Sequence, residues 1–96
     1  MKTVKLTSID YECEIDERIR NDWRYMDYLT QSEDPALGAA ERFRAINKAM
    51  ELLLGMQLKE QIFAVIAEKN DNYVSYQSVY TILKEIGKEL GAKTKK

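Results

Sequence analysis

The chain has 96 residues, of which 45% are hydrophobic and 32% are charged, and its formal net charge at neutral pH is −1. That length suits one small domain, and the nearly balanced charge gives no reason to expect a nucleic-acid partner. The sequence contains no histidine and a single cysteine, Cys13, which excludes an internal disulfide, imidazole metal ligation and histidine-based catalysis.

The first 15 residues alternate between apolar and polar side chains, which is typical of a strand pair with one buried face. That face carries Val4, Leu6, Ile9, Tyr11, Cys13 and Ile15. We expect a two-stranded hairpin over residues 1–15 with its turn near Ser8 to Asp10. Cys13 is then a small packed hydrophobe, because no cationic or histidine neighbour is evident to stabilise a thiolate.

A first helix is predicted after Asp16, whose carboxylate is a suitable N-cap. Apolar residues at helical spacing mark its buried face. They are Ile19, Trp23, Met26 and Leu29. Trp23, the sole tryptophan, is interpreted as the core anchor of this helix, although tryptophan is also enriched at interfaces. Tyr25 and Tyr28 lie beside the stripe, where a ring is half-buried and its hydroxyl stays in water.

The central stretch, residues 43–66, contains two apolar helical stripes separated by Gly55. A glycine at this point is typical of a helix end, because it adopts a left-handed backbone without steric cost. We predict a second helix from about Pro35 to Leu54 and a third over Gln57–Lys69. The second helix buries Phe43, Ile46, Ala49, Met50, Leu53 and Leu54.

A cluster of short polar residues, Asn70-Asp71-Asn72, predicts a turn after the third helix. It lacks the alternating oxygen ligands and the closing glutamate of a calcium loop, so no metal site is expected there. Ser75 is a suitable cap for a fourth helix that ends at Gly91. The stripe of that helix is Tyr76, Val79, Tyr80, Leu83, Ile86 and Leu90.

These elements predict an α+β fold that is mostly α, in which an N-terminal two-stranded β-hairpin packs on a four-helix body. One domain covers residues 1–92, with the helices over 16–91. Residues 93–96 form a basic tail that we expect to be disordered.

Sequence motifs for chemistry are missing from this pattern. There is no phosphate-binding glycine loop of known spacing, and one cysteine without histidine does not form the usual nucleophile pair. No apolar run reaches the length of a membrane span, and the first residues lack a signal-peptide core. We therefore expect a cytoplasmic, non-enzymatic protein without cofactor or metal.

Tyrosine is abundant for so small a domain, and its ring gives a large contact area at low entropy cost. We hypothesise that a face bearing Tyr25, Tyr28, Tyr76 and Tyr80 contacts partners or sister subunits. An exposed aromatic patch on a small helical domain also favours self-association.

Several short motifs follow one another in a recognisable order along nearly the whole chain. They are the alternating hairpin, Asp22-Trp23, Asp34-Pro35, Leu52-Leu53-Leu54-Gly55, the turn at 71–74 and Leu90-Gly91 before a lysine tail. In order and spacing the sequence resembles the tail assembly chaperones of long-tailed (siphovirus-type) bacteriophages and prophages. Asn72 stands where that family often has glycine.

The resemblance implies a non-enzymatic function in tail building. Members of the family bind the tape measure protein, a very long and aggregation-prone helical chain, and recruit tail tube subunits, the major tail protein. The resemblance also implies that the protein acts in the bacterial host cytoplasm and is not kept in the mature virion.

An alternative from another class is a small regulatory or antitoxin-like module that binds protein or DNA. The helices on either side of Gly55 superficially suggest a helix-turn-helix. The supposed recognition helix carries Lys59 and Lys69 against Glu60 and Glu68, a balance that is wrong for phosphate contacts.

Overall fold

The computed structural model describes residues 1–91, so the predicted tail at 93–96 lies outside the described residues. The elements in chain order are β1 (Lys2–Leu6), β2 (Tyr11–Ile15), a 3-10 helix (Glu17–Asn21), α1 (Trp23–Ser32), α2 (Ala39–Lys69) and α3 (Tyr76–Gly91). The predicted class is confirmed, because the chain is mostly helical and begins with a two-stranded antiparallel hairpin.

The hairpin has the predicted buried face, and its turn lies where the sequence places it. Val4 pairs with Cys13 across the two strands, and both side chains are buried. Burial, and to a smaller extent the charge of Glu12, raises the pKa of the Cys13 thiol, which suits a packed hydrophobe. Cys13 is free and buried, as the alternation predicts.

Glu85 on α3 holds the hairpin turn in place. Its carboxylate accepts hydrogen bonds from the Thr7 hydroxyl at 3.0 Å, the Ser8 amide at 3.1 Å and the Ser8 hydroxyl at 2.9 Å. A two-stranded hairpin is marginal in water by itself, so this anchor and the buried face together hold it against the helices.

The first predicted helix begins later than expected, and its buried face is different. Asp16 caps the 3-10 helix, and Asp22, in extended conformation with ψ of 133°, then caps α1. The two segments are therefore out of phase, and Ile19 and Trp23 do not share one helical face. The prediction that Trp23 is a core anchor is wrong, because its side chain is 82% exposed. The side of α1 that packs inward carries Tyr25, Tyr28, Leu29 and Ser32.

The second helix also starts later than predicted. Asp34 forms a turn in which its carboxylate accepts from the Ala36 amide at 2.9 Å. Gly38 then takes an extended conformation as the N-cap, and its amide donates to the Glu41 carboxylate at 3.1 Å. Since glycine disfavours the helix interior, α2 begins at Ala39 and not near Pro35.

Residues 1–91 contain three α-helices and not the predicted four. Residues 39–69 form one element, α2, in which two helical halves meet at a kink where the backbone of Gly55 is not helical. Gly55 has φ of 79° and ψ of 162°. The positive φ agrees with the prediction, but the ψ value lies outside the left-handed helical region and in a region that only glycine populates readily.

Gly55→Ala is expected to lower the free energy of unfolding by about 1–3 kcal/mol, because an L side chain is strained at this backbone conformation. No heavy atom lies within 4 Å of the position of the new Cβ, so the cost comes from the backbone and not from a clash. Chemical denaturation of the variant measures it. A synthetic chain with D-alanine at position 55 is the matched control and should be at least as stable as the wild type. Equal destabilisation by both alanines would contradict a backbone origin for the cost.

A single apolar core lies between the bent α2, α3 and the hairpin, and α1 packs on α2 beside it. The most deeply buried side chains of this core belong to α2, α3 and the hairpin, and α1 contributes Tyr25, which is 3% exposed. The largest are Leu6, Ile15, Ile46, Met50, Ile62, Ile66, Ile82, Ile86 and Leu90. Most of them were predicted from the helical stripes; Phe43 was also predicted to be buried, but it is 47% exposed.

The turn before α3 is confirmed. Asp71 and Asn72 both have positive φ, 58° and 63°. Asparagine and aspartate tolerate this conformation better than other non-glycine residues, which explains how Asn72 can stand at a position suited to glycine. Ser75 caps α3 as predicted, since its hydroxyl accepts from the Ser78 amide at 3.0 Å.

Candidate partner-binding groove

A long surface groove runs between α1 and α3, which both pack on α2 and leave a channel between themselves. It consists of two adjoining cavities of about 540 and 280 Å³. Four residues line both cavities: Tyr25, Met26, Leu29 and Gly87. The groove therefore extends along α3 from Tyr80 near its start to Gly91 at its end.

The floor of the groove combines a buried tyrosine and a glycine. The Tyr25 side chain is 3% exposed, and its hydroxyl has no hydrogen-bond partner among residues 1–91. Burial raises the pKa of this hydroxyl, so it stays protonated and can donate to a bound oxygen atom. Opposite it, Gly87 has no side chain, and a Cβ there would lie 4.0 Å from the Tyr25 hydroxyl oxygen.

One wall of the groove is held by a small polar network. The Tyr80 hydroxyl donates to the Glu33 carboxylate at 3.2 Å, and the Lys84 ammonium lies 3.8 Å from the same oxygen. Lys84 also sits 5.3 Å from the centre of the Tyr80 ring. These contacts link the residue that follows α1, Glu33, to α3 across one end of the groove.

An aromatic row continues from the groove rim onto the neighbouring surface. The rings of Tyr80 and Tyr76 are stacked with their centres 6.1 Å apart, and Tyr76 lies 6.1 Å from Phe43 in a tilted arrangement. Tyr76 and Phe43 are 45% and 47% exposed. Exposed rings in this arrangement present apolar area next to the groove.

The four tyrosines of the sequence hypothesis do not form one face. Tyr25 and Tyr80 meet at the groove, and Tyr76 joins them through its stack on Tyr80. Tyr28 does not line the groove but a separate depression next to Leu37. The expectation that Tyr25 is half-buried is wrong, because the phase of α1 turns its ring toward the protein interior.

The other residues singled out from the sequence have mainly structural places. Asp22 caps α1 by accepting from the Arg24 amide at 2.8 Å, and Leu53 is buried whereas Leu54 is half-buried. Leu90 and Gly91 line the far end of the groove. Trp23 and Met26 are exposed on the outer side of α1, and Met26 also lines the groove.

The sequence pattern did not identify Gly87 as a groove residue, and it placed Met26 on the buried face of the first helix although its side chain is 52% exposed. A glycine within the amphipathic stretch of the last helix was the available signal, because glycine in a helix interior is unfavourable without a packing reason.

Gly87→Ala is expected to raise the free energy of unfolding by about 0.5–1 kcal/mol, the gain in helix propensity. The structure has room for the methyl group, since the nearest atom lies at ordinary contact distance. Denaturant titration monitored by circular dichroism measures the change. A clear loss of stability would mean that α1 and α3 lie closer together than described.

Within residues 1–91, no group of three or more cysteine, aspartate or glutamate side chains is placed to hold a metal ion. None of the helices in that range combines the length and apolar character required to cross a membrane.

Comparisons with protein-family models, with curated proteins and with solved structures found no match.

Proposed function

We propose that this protein is a non-enzymatic tail assembly chaperone that binds the tape measure protein, keeps it soluble and recruits tail tube subunits during tail building in the host cytoplasm. The order of motifs along the chain suggests the class. The observation that carries the proposal is the apolar groove between α1 and α3, a concave surface of the kind that accepts a helix.

The dimensions of the groove suit one helical segment. From Tyr80 to Gly91 it follows twelve residues of α3, and the rise over the eleven steps between them, at 1.5 Å each, is about 16 Å, or three helical turns. Helix-in-groove binding places apolar side chains from successive turns of the ligand into such a channel. Leu29, Leu83 and Met26 supply apolar contacts for them.

A holdase for a long chain also needs apolar area outside a single groove. Trp23 is 82% exposed and lies on α1 next to Met26, which is 52% exposed. Phe43 and Tyr76 form a second exposed patch at the other end of the aromatic row. We assign to these patches the recruitment of tail tube subunits and self-association.

The regulatory alternative is weaker in this geometry. A helix-turn-helix needs a second helix that projects from the body to enter a groove of DNA. Here Lys59, which would face phosphate, is buried against Glu51.

Co-expression with a candidate tape measure protein tests the proposal. The tape measure protein should be soluble with the wild type and with Gly87→Ala, and insoluble without a partner. Gly87→Leu should abolish this protection, because its side chain fills the groove while the helix keeps its propensity. A tape measure protein that stays insoluble with the wild type, or equal protection by Gly87→Leu, would contradict the proposed function.

A further inference from the structure

The groove is positively charged, although the chain as a whole carries a net charge of −1. Lys84 and Lys88 lie one turn apart on the α3 wall, and Arg20 lies at the far end. Glu33 is the one carboxylate among the described residues that line either cavity. The local excess of cations therefore belongs to the groove and not to the general surface.

Part of this positive charge is not paired with a carboxylate among the described residues. The Glu33 carboxylate already pairs with Lys84 and accepts a hydrogen bond from the Tyr80 hydroxyl. The Lys88 ammonium has no partner among residues 1–91. Arg20 donates one hydrogen bond, to the Leu90 carbonyl oxygen at 3.2 Å, and its guanidinium has further N–H groups to offer. A carboxylate beside the groove would gain an ionic partner without displacing an existing one.

We infer that the groove selects amphipathic helices whose apolar stripe is flanked by carboxylates along the side that meets α3. In the proposed complex, the apolar stripe of the bound helix lies over Leu29, Leu83 and the Tyr25 ring. The flanking carboxylates of the bound helix reach Lys88 and Lys84. The Tyr25 hydroxyl donates to one oxygen atom within the stripe, such as a serine or threonine hydroxyl. This inference rests on the proposed function, because it specifies which helical segments of the partner are captured.

The selection is electrostatic, so it acts on specificity more than on total affinity. A helix whose apolar stripe is flanked by cations would place them against Lys84 and Lys88, which is unfavourable. The apolar contacts are the same for this helix and for one flanked by carboxylates. Because these lysines are exposed, salt should weaken the preference.

Two designed peptides of about 14 residues, roughly four helical turns, provide the test. Both carry the same leucine stripe with one central serine, and their flanking positions are all glutamate in one and all lysine in the other. Fluorescence anisotropy with labelled peptides measures binding to the full chain. The glutamate-flanked peptide should bind the wild type about tenfold more tightly at low salt, and the difference should shrink markedly in 0.5 M NaCl, where the Debye length is only about 4 Å.

The double variant Lys84→Glu/Lys88→Glu should reverse this preference. Lys48→Glu/Lys69→Glu is the matched control, because it makes the same change of charge at exposed positions of α2 outside both cavities, and it should keep the preference of the wild type. Equal binding of the two peptides to the wild type, or an unchanged preference in Lys84→Glu/Lys88→Glu, would overturn the inference. The salt dependence of the wild type tests the same selectivity without relying on how well the variant folds.

Two further outcomes separate this inference from the proposed function. Selective peptide binding together with an insoluble tape measure protein would support the groove chemistry and contradict the chaperone assignment. Protection of the tape measure protein without any peptide selectivity would overturn only the inference. A wild-type dimer in sedimentation that Gly87→Leu dissociates would also overturn it, because a second copy would then occupy the groove.

Discussion

Ile62→Ala is expected to lower the free energy of unfolding by about 2–5 kcal/mol, the usual cost of deleting a fully buried aliphatic side chain. Ile62 lies in the second half of α2 and belongs to the apolar core, where its side chain has no exposed surface. Chemical denaturation followed by circular dichroism measures the loss.

Trp23→Ala is the informative control for that variant. Although it removes a larger side chain, we expect a change within about 0.5 kcal/mol, because the indole is 82% exposed. A loss of several kcal/mol at Trp23 would contradict the phase of α1, and a negligible loss at Ile62 would contradict the core described for α2.

Glu51→Ala is expected to cost about 2–4 kcal/mol, because it leaves the Lys59 ammonium buried without its charged partner. The Lys59 nitrogen lies 2.8 Å from the Glu51 carboxylate and 3.1 Å from the Asn47 side-chain oxygen, and its side chain is only 10% exposed. The pair joins the two halves of α2 across Gly55. Lys59→Met in the same chain should restore most of the lost stability, since an apolar side chain then fills the site without a charge. Urea titration of the single and double variants measures both effects, and a double variant no more stable than Glu51→Ala would contradict the role given to the buried charge.

This ion pair also predicts a pH dependence. The hydrogen bond from Lys59 lowers the pKa of the Glu51 carboxyl below its ordinary value of 4.5. A carboxyl group whose pKa is lowered by folding stabilises the folded state above its unfolded pKa, and that contribution is lost as the pH falls through the folded value. The wild type should therefore lose more stability below about pH 4.5 than Glu51→Gln/Lys59→Met, which lacks the pair. Parallel denaturation series at pH 7 and below pH 4 compare them, and equal losses would contradict the assignment.

The hairpin and most of the core could be predicted from the sequence because their signals are local. Alternation over residues 3–15 identifies the buried strand faces, and the stripes around Ile46 and Ile62 identify the inner side of α2. Gly55 also indicates the bend, since a glycine between two apolar stripes is typical of a break in a helix. Sequence alone could not show that the segments on either side of Gly55 meet at a kink and form one element, α2, which reduced the count of helices by one.

The phase of α1 was missed because two consecutive caps resemble one helix start. Asp16 and Asp22 each accept from the amide of the residue two positions on, and each pairs with an arginine there, Arg18 and Arg24. Those arginines and amide hydrogen bonds hold the pKa of Asp16 at about 2 and lower that of Asp22. The repeated Asp-x-Arg spacing was a visible signal of two separate turns.

The groove itself could not be predicted, because it depends on how far apart α1 and α3 lie on α2. That distance is set by contacts remote in sequence, such as Glu33 with Tyr80 and Lys84. Chain patterns identify the faces of single helices, but not the space left between two of them.

Site-specific photo-crosslinking tests most directly whether this groove holds the partner. A benzophenone amino acid is placed at Met26, which lines the groove and is 52% exposed, or at Met56, which lies on α2 outside it and is 55% exposed. In cells that also make the tape measure protein, position 26 should give a crosslink to that protein and position 56 should give none. A crosslink from position 56 alone, or none from position 26 while the tape measure protein stays soluble, would contradict binding in the groove.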